Sequence, residues 1–195
     1  MNKIILKGIL KNIQYSHTTQ DIEYYKANLL VTQENGKENL LNLKFKKFCN
    51  PYKENMEVSI IGNIRTYSQK LEDKNKVEMY VFTYFDPPEE EKINEVEIDG
   101  RICKINPMRK TQSGKDVVDF ILANNVTTDN QSLNSYPSCV AWGKLAKIVN
   151  NLKVGDFVSI LGQLQSREYK KKLNEEDYEI RIAHEISVSE INLLT

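Results

Sequence analysis

Residues 4–13 read Ile-Ile-Leu-Lys-Gly-Ile-Leu-Lys-Asn-Ile, and residues 96–105 repeat their spacing as Val-Glu-Ile-Asp-Gly-Arg-Ile-Cys-Lys-Ile. A second segment recurs in the same order: residues 58–64, Val-Ser-Ile-Ile-Gly-Asn-Ile, return as residues 158–164, Val-Ser-Ile-Leu-Gly-Gln-Leu. The offsets of 92 and 100 residues are too long for a solenoid repeat. The chain therefore contains two related domains, each of ordinary domain size.

The apolar residues of both copies recur at every second position, which is typical of β-strands. Ile4, Leu6 and Gly8 share one strand face, as do their counterparts in the second copy. A glycine inside a strand marks a bend, a bulge or a close approach of two backbones. Glycines at matched places in two strands of each copy therefore predict strongly coiled strands, as in a small closed barrel.

The order of elements predicts the type of barrel. Second strands are predicted over 24–31 and 117–123, third strands over 39–45 and 137–142, and fifth strands over 76–85 and 178–188. Leu145, Ile148 and Val149 predict one helical stripe before the fourth strand of the second copy. Pro51 predicts a short or missing helix in the first copy. Three strands, a helix and two strands predict an all-β fold with a short helix: two tandem OB-folds, each a five-stranded Greek-key barrel.

The turn before each fourth strand predicts a backbone of positive φ. Asn55 stands where the second copy has Gly155, and asparagine is the residue best able to replace glycine there.

A linker is predicted where the repeat places a boundary. Residues 86–91 read Asp-Pro-Pro-Glu-Glu-Glu, and paired prolines favour an extended backbone outside a central strand. We therefore expect a first OB-fold over 1–85, an acidic linker over 86–95 and a second OB-fold over 96–195.

The amino-acid composition and the distribution of charge limit the functions that fit this chain. Hydrophobic residues make up 40% and charged residues 28% of the chain, as in soluble globular proteins. The net charge of +0 is a sum of +4 over 1–85 (13 Lys/Arg, 9 Asp/Glu), −4 over 86–95 (1 and 5) and zero over 96–195 (13 and 13). A zero total does not exclude a polyanionic partner, because the charge of one face matters more than the sum.

Several classes of function find no support in the residues. No apolar run reaches the roughly 18 residues of a membrane span, so no membrane partner is expected. Cys49, Cys103 and Cys139 are odd in number and never form a CxxC pair, which indicates reduced thiols in a cytoplasm. Phosphate-binding loops, paired-histidine metal motifs and nucleophile elbows are absent. We therefore expect neither an enzyme nor a cofactor or metal.

The second copy resembles the bacterial single-stranded DNA-binding protein (SSB) family over nearly all of 95–195. The resemblance rests on residues 139–149, Cys-Val-Ala-Trp-Gly-Lys-Leu-Ala-Lys-Ile-Val, and on 106–109, 113–114, 119–123 and 158–169. Two such domains in one chain look like the tandem-barrel members of that family. The resemblance implies a homodimer that presents four barrels. Because the chain ends on Ile-Asn-Leu-Leu-Thr, we expect no acidic C-terminal tip for recruiting enzymes.

A protein that holds single strands without reading sequence needs flat rings for bases and cations for phosphates. The resemblance places Trp142, Tyr169 and Tyr136 at stacking positions, whereas Thr127 and Thr128 stand where a fourth ring is usual. In the first copy Phe45 aligns with Trp142, and Tyr67 lies near the place of Tyr169. The expected phosphate contacts are Arg101, Arg109, Lys110, Lys115, Lys144, Arg167, Lys170 and Lys171 in the second copy, and Lys7, Lys11, Lys26, Lys44 and Arg65 in the first.

The leading interpretation is sequence-tolerant binding of single-stranded DNA in replication, repair or DNA transfer. One alternative is an adaptor, in which diverged barrels hold a protein partner through their aromatic surface. Another is an RNA-binding protein, because the 2′-OH contact that distinguishes RNA from DNA is one local hydrogen bond. The residues also leave open whether the first copy binds DNA or only dimerises.

Overall fold

The computed structural model describes residues 1–47, 52–71, 74–83, 88–90, 92–128, 131–172 and 177–194, with the backbone alone at 69–71, 74–76, 126–128, 131–132 and 171–172. The first half contains β1 (Asn2–Thr19), β2 (Ile22–Thr32), β3 (Glu38–Lys46), β4 (Glu57–Leu71) and β5 (Lys74–Thr83). The second half contains β6 (Asn94–Ile105), β7 (Arg109–Lys110), β8 (Asp116–Thr128), β9 (Gln131–Ser135), β10 (Ser138–Trp142), α1 (Lys144–Asn150), β11 (Phe157–Lys172) and β12 (Tyr178–Leu193).

Each half closes into a Greek-key barrel, which we call barrel one and barrel two. In barrel one, β1 pairs with β2 and with β4, β2 pairs with β3, and β4 pairs with β5. The barrel is closed by a parallel pairing of β3 with β5, with Leu43 opposite Val81. Barrel two repeats this pattern, and Cys139 on β10 lies opposite Ile186 on β12. The predicted pair of OB-folds is confirmed.

Four glycines mark the places where the strands coil most strongly. A Cβ built on Gly8 would lie 2.4 Å from the Leu30 carbonyl oxygen, and one on Gly162 would lie 2.4 Å from that of Ser187. Gly62 and Gly100 face carbonyl oxygens at 2.6 and 2.8 Å in the same way. The glycines predicted from the repeat therefore occupy close backbone approaches that exclude any side chain.

A pseudo-two-fold axis relates the two barrels. β1 pairs with β6 in an antiparallel register in which Asn2 faces Ile98 and Leu6 faces Asn94. Since Gly8 and Gly100 are matched glycines, Asn2 corresponds to Asn94 and Leu6 to Ile98. The pairing is therefore self-complementary, like an isologous interface between two subunits.

The long hairpins repeat this symmetry at the seam between the barrels. The Ser166 hydroxyl, on the β11–β12 hairpin, accepts a hydrogen bond of 3.0 Å from the backbone N–H of Leu40 in barrel one. The Thr66 hydroxyl, on the β4–β5 hairpin, accepts one of 2.8 Å from the N–H of Tyr136 in barrel two. Each hairpin therefore reaches across to the other barrel.

The predicted turns agree with the structure, and the predicted helical stripe agrees in part. Asn55 and Gly155 both have positive φ, 67° and 102°, as predicted. In α1, Ala146 and Val149 are buried, whereas Ile148 is 48% exposed and leaves the expected stripe. The region of the expected first-copy helix includes residues 48–51, which lie outside the described residues.

The expected linker is only partly described. Residues 86, 87 and 91 lie outside the described ranges, and β6 begins at Asn94, inside the expected 86–95. Within the described part of the chain, no helix is long and apolar enough to cross a membrane.

Candidate nucleic-acid interface

Trp142 ends β10, where the chain turns from the sheet into α1. Gly143 follows it with a φ of 58°, and its N–H donates to the Asp116 carbonyl oxygen at 2.8 Å. The Trp142 side chain is 38% exposed, and an ideal Cβ on Gly143 would meet no atom within 4 Å. The indole is therefore partly accessible from solvent, with Lys144 exposed on the first turn of the helix.

Tyr136 and Tyr169 line one cleft between the two barrels. The cleft has a volume of about 620 Å³, and both barrels contribute residues to its walls. Tyr136 is 46% exposed and Tyr169 37% exposed, so both rings present part of their surface. Arg181 lies opposite Tyr169 on β12 and lines the same cleft.

The rings of barrel two lie at both ends of one strand. Tyr136 precedes β10 and Trp142 ends it, which separates their backbones by at most roughly 20 Å in an extended chain. A flexible single-stranded nucleic acid that runs along β10 can therefore contact one ring after the other.

Phe45 has a different environment from Trp142. Val117 pairs with Trp142, and the corresponding residue Tyr24 pairs with Lys46. The structure therefore matches Lys46, and not Phe45, with Trp142. A one-residue offset turns a side chain to the opposite face of a strand. Phe45 accordingly lies in the core at 5% exposure and stacks on Tyr25 with ring centroids 6.0 Å apart, which corrects the expectation of an exposed stacking ring.

Tyr67 is exposed, and its position on β4 lies two residues before the one that corresponds to Tyr169 on β11. Counting from the matched glycines Gly62 and Gly162, Tyr67 corresponds to Arg167, and Tyr169 corresponds to Gln69. Tyr67 is 52% exposed, and the Lys44 ammonium lies 5.4 Å from its ring centroid.

Three of the expected phosphate contacts in barrel two already have carboxylate partners. Arg109 Nη2 lies 2.7 Å from Asp119, and Arg167 Nε lies 3.5 Å from Glu185. Lys110 lies 3.8 Å from Asp116, which lies 3.8 Å from Lys147 as well. A phosphate has to compete with these acids for the same cations.

The other expected cations of barrel two differ in their surroundings. Arg101 donates from Nη1 to the Gly155 carbonyl oxygen at 2.9 Å and lies 5.4 Å from the Phe157 ring centroid. The remaining expected cations with described side chains are exposed and form no ion pair within the described ranges: Lys115, Lys144 and Lys170. The side chain of Lys171 lies outside the described residues.

Barrel one holds two of its five expected cations against aromatic rings. The Lys44 ammonium lies 4.3 Å from the centroid of Tyr80, and burial lowers the pKa of Lys44. The Arg65 guanidinium lies 3.9 Å from the centroid of Phe82, with its Nε buried and without a partner among the described residues. Neither cation projects freely into solvent.

The last three expected cations of barrel one lie on β1 and β2. Lys11 donates to the Asn55 side chain, Lys7 is half-buried on β1, and Lys26 is exposed on β2.

Arg181 and the carboxylates of Asp116 and Asp119 were missed by the sequence analysis. Arg181 lies within the fifth strand of the second copy, where polar and apolar residues alternate, and that alternation could have placed it on the polar face. The ion pairs join residues on neighbouring elements, so no short-range signal in the sequence predicts them.

Residues 93–194, just over half of the chain, match the model of the "Single-strand binding protein family". This chain belongs to the single-strand binding protein family. The matched region begins one residue before β6 and contains the whole of barrel two.

Relatives in this family support the assignment. Single-stranded DNA-binding protein A of Bacillus subtilis is 36% identical over 84 residues, which cover 41% of this chain and 49% of that protein. Single-stranded DNA-binding protein 3 of Streptococcus agalactiae is 32% identical over 97 residues, which cover 48% of this chain and 70% of that protein. The chain spans about half the length of the relatives from Bacillus subtilis and Enterococcus faecalis.

The whole fold also has a solved counterpart. The wild-type single-stranded DNA binding protein from Thermus aquaticus superimposes with a TM-score of 0.73 at 19% identity and covers 100% of this chain and 93% of that one. At this identity the likeness concerns the fold, and it extends over both barrels.

Proposed function

We propose that this protein binds single-stranded DNA with little sequence preference and without catalysis, in replication, repair or DNA transfer. The observation that carries the proposal is the set of three exposed rings on barrel two: Trp142 and Tyr136 at the two ends of β10, and Tyr169 in the adjoining cleft. Membership of the single-strand binding protein family supports it.

Stacking on these rings accounts for the tolerance of sequence. Every base has a π-face, and stacking on a protein ring contributes about 1–3 kcal/mol per base whichever base it is. Lys144 lies beside Trp142 and Lys170 beside Tyr169 in the chain, where each can contact a phosphate next to a stacked base. Arg109, Lys110 and Arg167 join the contact when a phosphate replaces their carboxylate partners.

The proposal includes the arrangement of the domains and the assembly. We assign residues 1–85 and 96–195 to the two OB-folds and 86–95 to their connection, of which Asn94 and Glu95 already belong to β6. We propose a cytoplasmic homodimer that presents four barrels. The continuous sheet through β4, β1, β6 and β11 supports such an assembly, because it presents one broad face with Ile61 and Leu161 half-buried on it. Light scattering after gel filtration tests this point, and a monomeric mass would contradict it.

The lone tryptophan provides the decisive experiment. Titration with oligothymidylates of increasing length, at low and at high salt, is followed by the fluorescence of Trp142. We expect strong quenching that saturates at a definite oligonucleotide length. The affinity should fall with salt, because binding releases counterions from the phosphates and that release is less favourable at high salt. An unchanged signal together with no mobility shift would overturn the proposal. Tighter binding of oligouridylate in the same assay would assign the site to RNA.

A further inference from the structure

A row of three side chains crosses the outside of barrel one where β1, β2 and β3 lie side by side. His17 on β1 is the direct partner of Tyr24 on β2, and Tyr24 is that of Lys46 on β3. Directly paired residues share one face of a sheet. This face is the outer one, because Tyr25 and Phe45, each one position away, pack towards the core. We call His17, Tyr24 and Lys46 the barrel-one row.

The two rings of the row form one stacked unit. The imidazole of His17 and the phenol ring of Tyr24 lie at 3° to each other, with their centroids 4.8 Å apart. The β1–β2 register shifts between Tyr15 and His17, so these two residues lie on opposite faces of the hairpin. Tyr15 accordingly meets Tyr25 edge-on, with ring centroids 5.9 Å apart. The shift therefore assigns one ring of β1 to each face.

The stack ends at an open edge of the sheet. β1 pairs with β4 over residues 4–9 and with β6 over residues 2–6, and both pairings stop well before His17. Within the described part of the chain, no strand therefore pairs with β1 on the side of His17 that faces away from Tyr24. His17 is exposed there. A third flat ring can therefore add to the stack from solvent.

The corresponding row of barrel two has its ring and its cation at exchanged ends. Arg109 on β7 pairs with Val117 on β8, and Val117 pairs with Trp142 on β10. His17 thus stands at the place of Arg109, and Lys46 stands at the place of Trp142. Each row keeps aromatic surface at one end and a cation at the other, which are the two groups that a single strand requires.

Two lysines face each other on the same outer face, two residues further along β2 and β3. Lys26 and Lys44 are direct cross-strand partners, and like charges in that arrangement destabilise a sheet. Both line a groove of about 300 Å³. Burial lowers the pKa of Lys44, against the opposing charge of Glu78, which lines the same groove. One carboxylate balances one of the two ammonium groups, so the groove suits an additional anion.

The matched pair of barrel two has a different chemistry. Asp119 and Val140 are direct partners at the positions of Lys26 and Lys44. Asp119 also binds Arg109, with 2.7 Å between carboxylate oxygen and guanidinium nitrogen. A pair of opposed cations beside the row is therefore a feature of barrel one, and barrel two has an acid and an apolar side chain instead.

We propose that barrel one has a stacking site of its own, in which a base stacks on the His17–Tyr24 pair and an adjacent phosphate binds between Lys26 and Lys44. Tyr24 and Lys26 lie about 7 Å apart along β2, a distance that one nucleotide can span from its base to its phosphate. The site accepts any base, because stacking needs only a π-face. This inference rests on the proposed binding of single-stranded DNA, and it gives the first barrel a part in that binding.

Photo-crosslinking tests the position of the base directly. The protein is irradiated with an oligothymidylate of about 32 nucleotides, long enough for two OB-folds, in which single thymines are replaced by 5-iodouracil. This base crosslinks to aromatic side chains that it contacts, and mass spectrometry of the peptides locates the bonds. We expect crosslinks at His17 or Tyr24 as well as at Trp142. Crosslinks confined to the rings of barrel two would overturn the inference.

Substitutions separate stacking of a base from support of the hairpin, which paired rings also provide. Tyr24→Val introduces the residue of barrel two and should weaken binding of the same oligonucleotide about fivefold or more, measured by fluorescence anisotropy. Tyr24→Phe keeps the ring and should keep the affinity. Lys26→Gln should lower the slope of log affinity against log salt by about one.

Tyr15→Leu is the matched control. It removes an exposed ring from the opposite face of the same hairpin, so the affinity should stay as it was. Melting curves establish that each variant is folded.

The outcomes separate this inference from the proposed function. Unchanged affinity in Tyr24→Val, or an equal loss in Tyr15→Leu, would overturn the site on barrel one and leave binding by barrel two standing. An equal loss in Tyr24→Phe would also overturn it, because the ring would then not be the group that matters. Failure of the unchanged protein to bind any oligonucleotide would refute the proposed function itself.

Discussion

Trp142 is the residue on which the proposed binding depends most. Its indole is exposed at the end of β10, where the chain turns into α1. We expect Trp142→Ala to weaken binding to oligothymidylate by about 5- to 150-fold, because it removes one stacking platform of about 1–3 kcal/mol. Anisotropy of a labelled oligonucleotide measures the loss, since the variant lacks the fluorophore.

Phe45→Leu is the matched control for that change. Phe45 is a buried core ring, so its replacement should lower the melting temperature and leave the affinity for DNA as it was. Equal losses of affinity in the two variants would contradict the assignment of Trp142 as a stacking ring.

Asp116 restrains two cations beside the turn at Gly143, which follows Trp142. Its carboxylate lies 3.8 Å from Lys110 and 3.8 Å from Lys147. Asp116→Asn should release both ammonium groups, strengthen binding about two- to tenfold at low salt and steepen the dependence of affinity on salt. Glu34→Gln, which removes an exposed carboxylate elsewhere, controls for net charge. An unaltered salt slope in Asp116→Asn would argue against a phosphate at this place.

At the level of single residues, the sequence predicted the type of side chain at the interface better than the exact position of each one. Trp142, Tyr136 and Tyr169 are predicted to stack on bases, and all three rings are exposed as stacking requires, while the stacking itself stays a prediction. Phe45 was misplaced because the second copy has three more residues between its second and third strands, and nothing in the sequence marks where they are inserted. The partners of Arg109, Lys110 and Arg167 depend on strand register, which a single sequence does not specify at this precision.

The coiled strands are the element-scale feature that the sequence predicted best. Glycine at four matched positions has one physical cause, a carbonyl oxygen of the neighbouring strand within 2.8 Å of the missing Cβ. The hydrogen bonds that join the side chains of three asparagines on the outside of barrel one had no such signal. Asn12, Asn28 and Asn42 are far apart in the chain and meet only through the register of three strands and one bulge.

Replacing one of these glycines tests the close approach directly. In Gly162→Ala the new Cβ would lie 2.4 Å from the Ser187 carbonyl oxygen, so β11 and β12 have to move apart. We expect a loss of about 1–3 kcal/mol in the free energy of unfolding, measured with urea. Gln163→Ala, at the exposed neighbouring position, should change it by about 0.5 kcal/mol or less. Equal stabilities of the two variants would show that the strand relaxes without cost.

At the scale of the whole molecule, the two barrels form an internal pseudo-dimer whose halves have diverged at the seam. The matched hydroxyls of Thr66 and Ser166 preserve the symmetry of the crossing hairpins. His184 breaks it, because the corresponding residue of barrel one is Met79. His184 Nε2 lies 2.9 Å from the Leu40 carbonyl oxygen, so an imidazole links barrel two to barrel one on one side of the pseudo-axis alone.

That imidazole makes the stability of the seam depend on pH. Burial lowers the pKa of His184 below its ordinary value, against the opposing effects of the Leu40 carbonyl and Glu78. The unfolded chain therefore takes up the proton first as the pH falls, which favours unfolding below the ordinary histidine pKa of about 6.5. The contribution of neutral His184 to the free energy of unfolding is fully present above that pH. It is lost as the pH falls towards the pKa of His184 in the folded state.

His184→Gln isolates this effect from the titration of the many carboxylates. The amide of the variant can still donate a hydrogen bond but takes up no proton in this range. Urea unfolding at pH 7.5, 6.5 and 5.5 should show the free energy of unfolding falling more steeply in the unchanged protein than in His184→Gln. His17→Gln serves as the control because His17 is an exposed histidine on β1. A difference between unchanged protein and His184→Gln that stays constant over this range would mean that His184 does not titrate differently on folding, and that the seam between the barrels carries no sensitivity to pH from this residue.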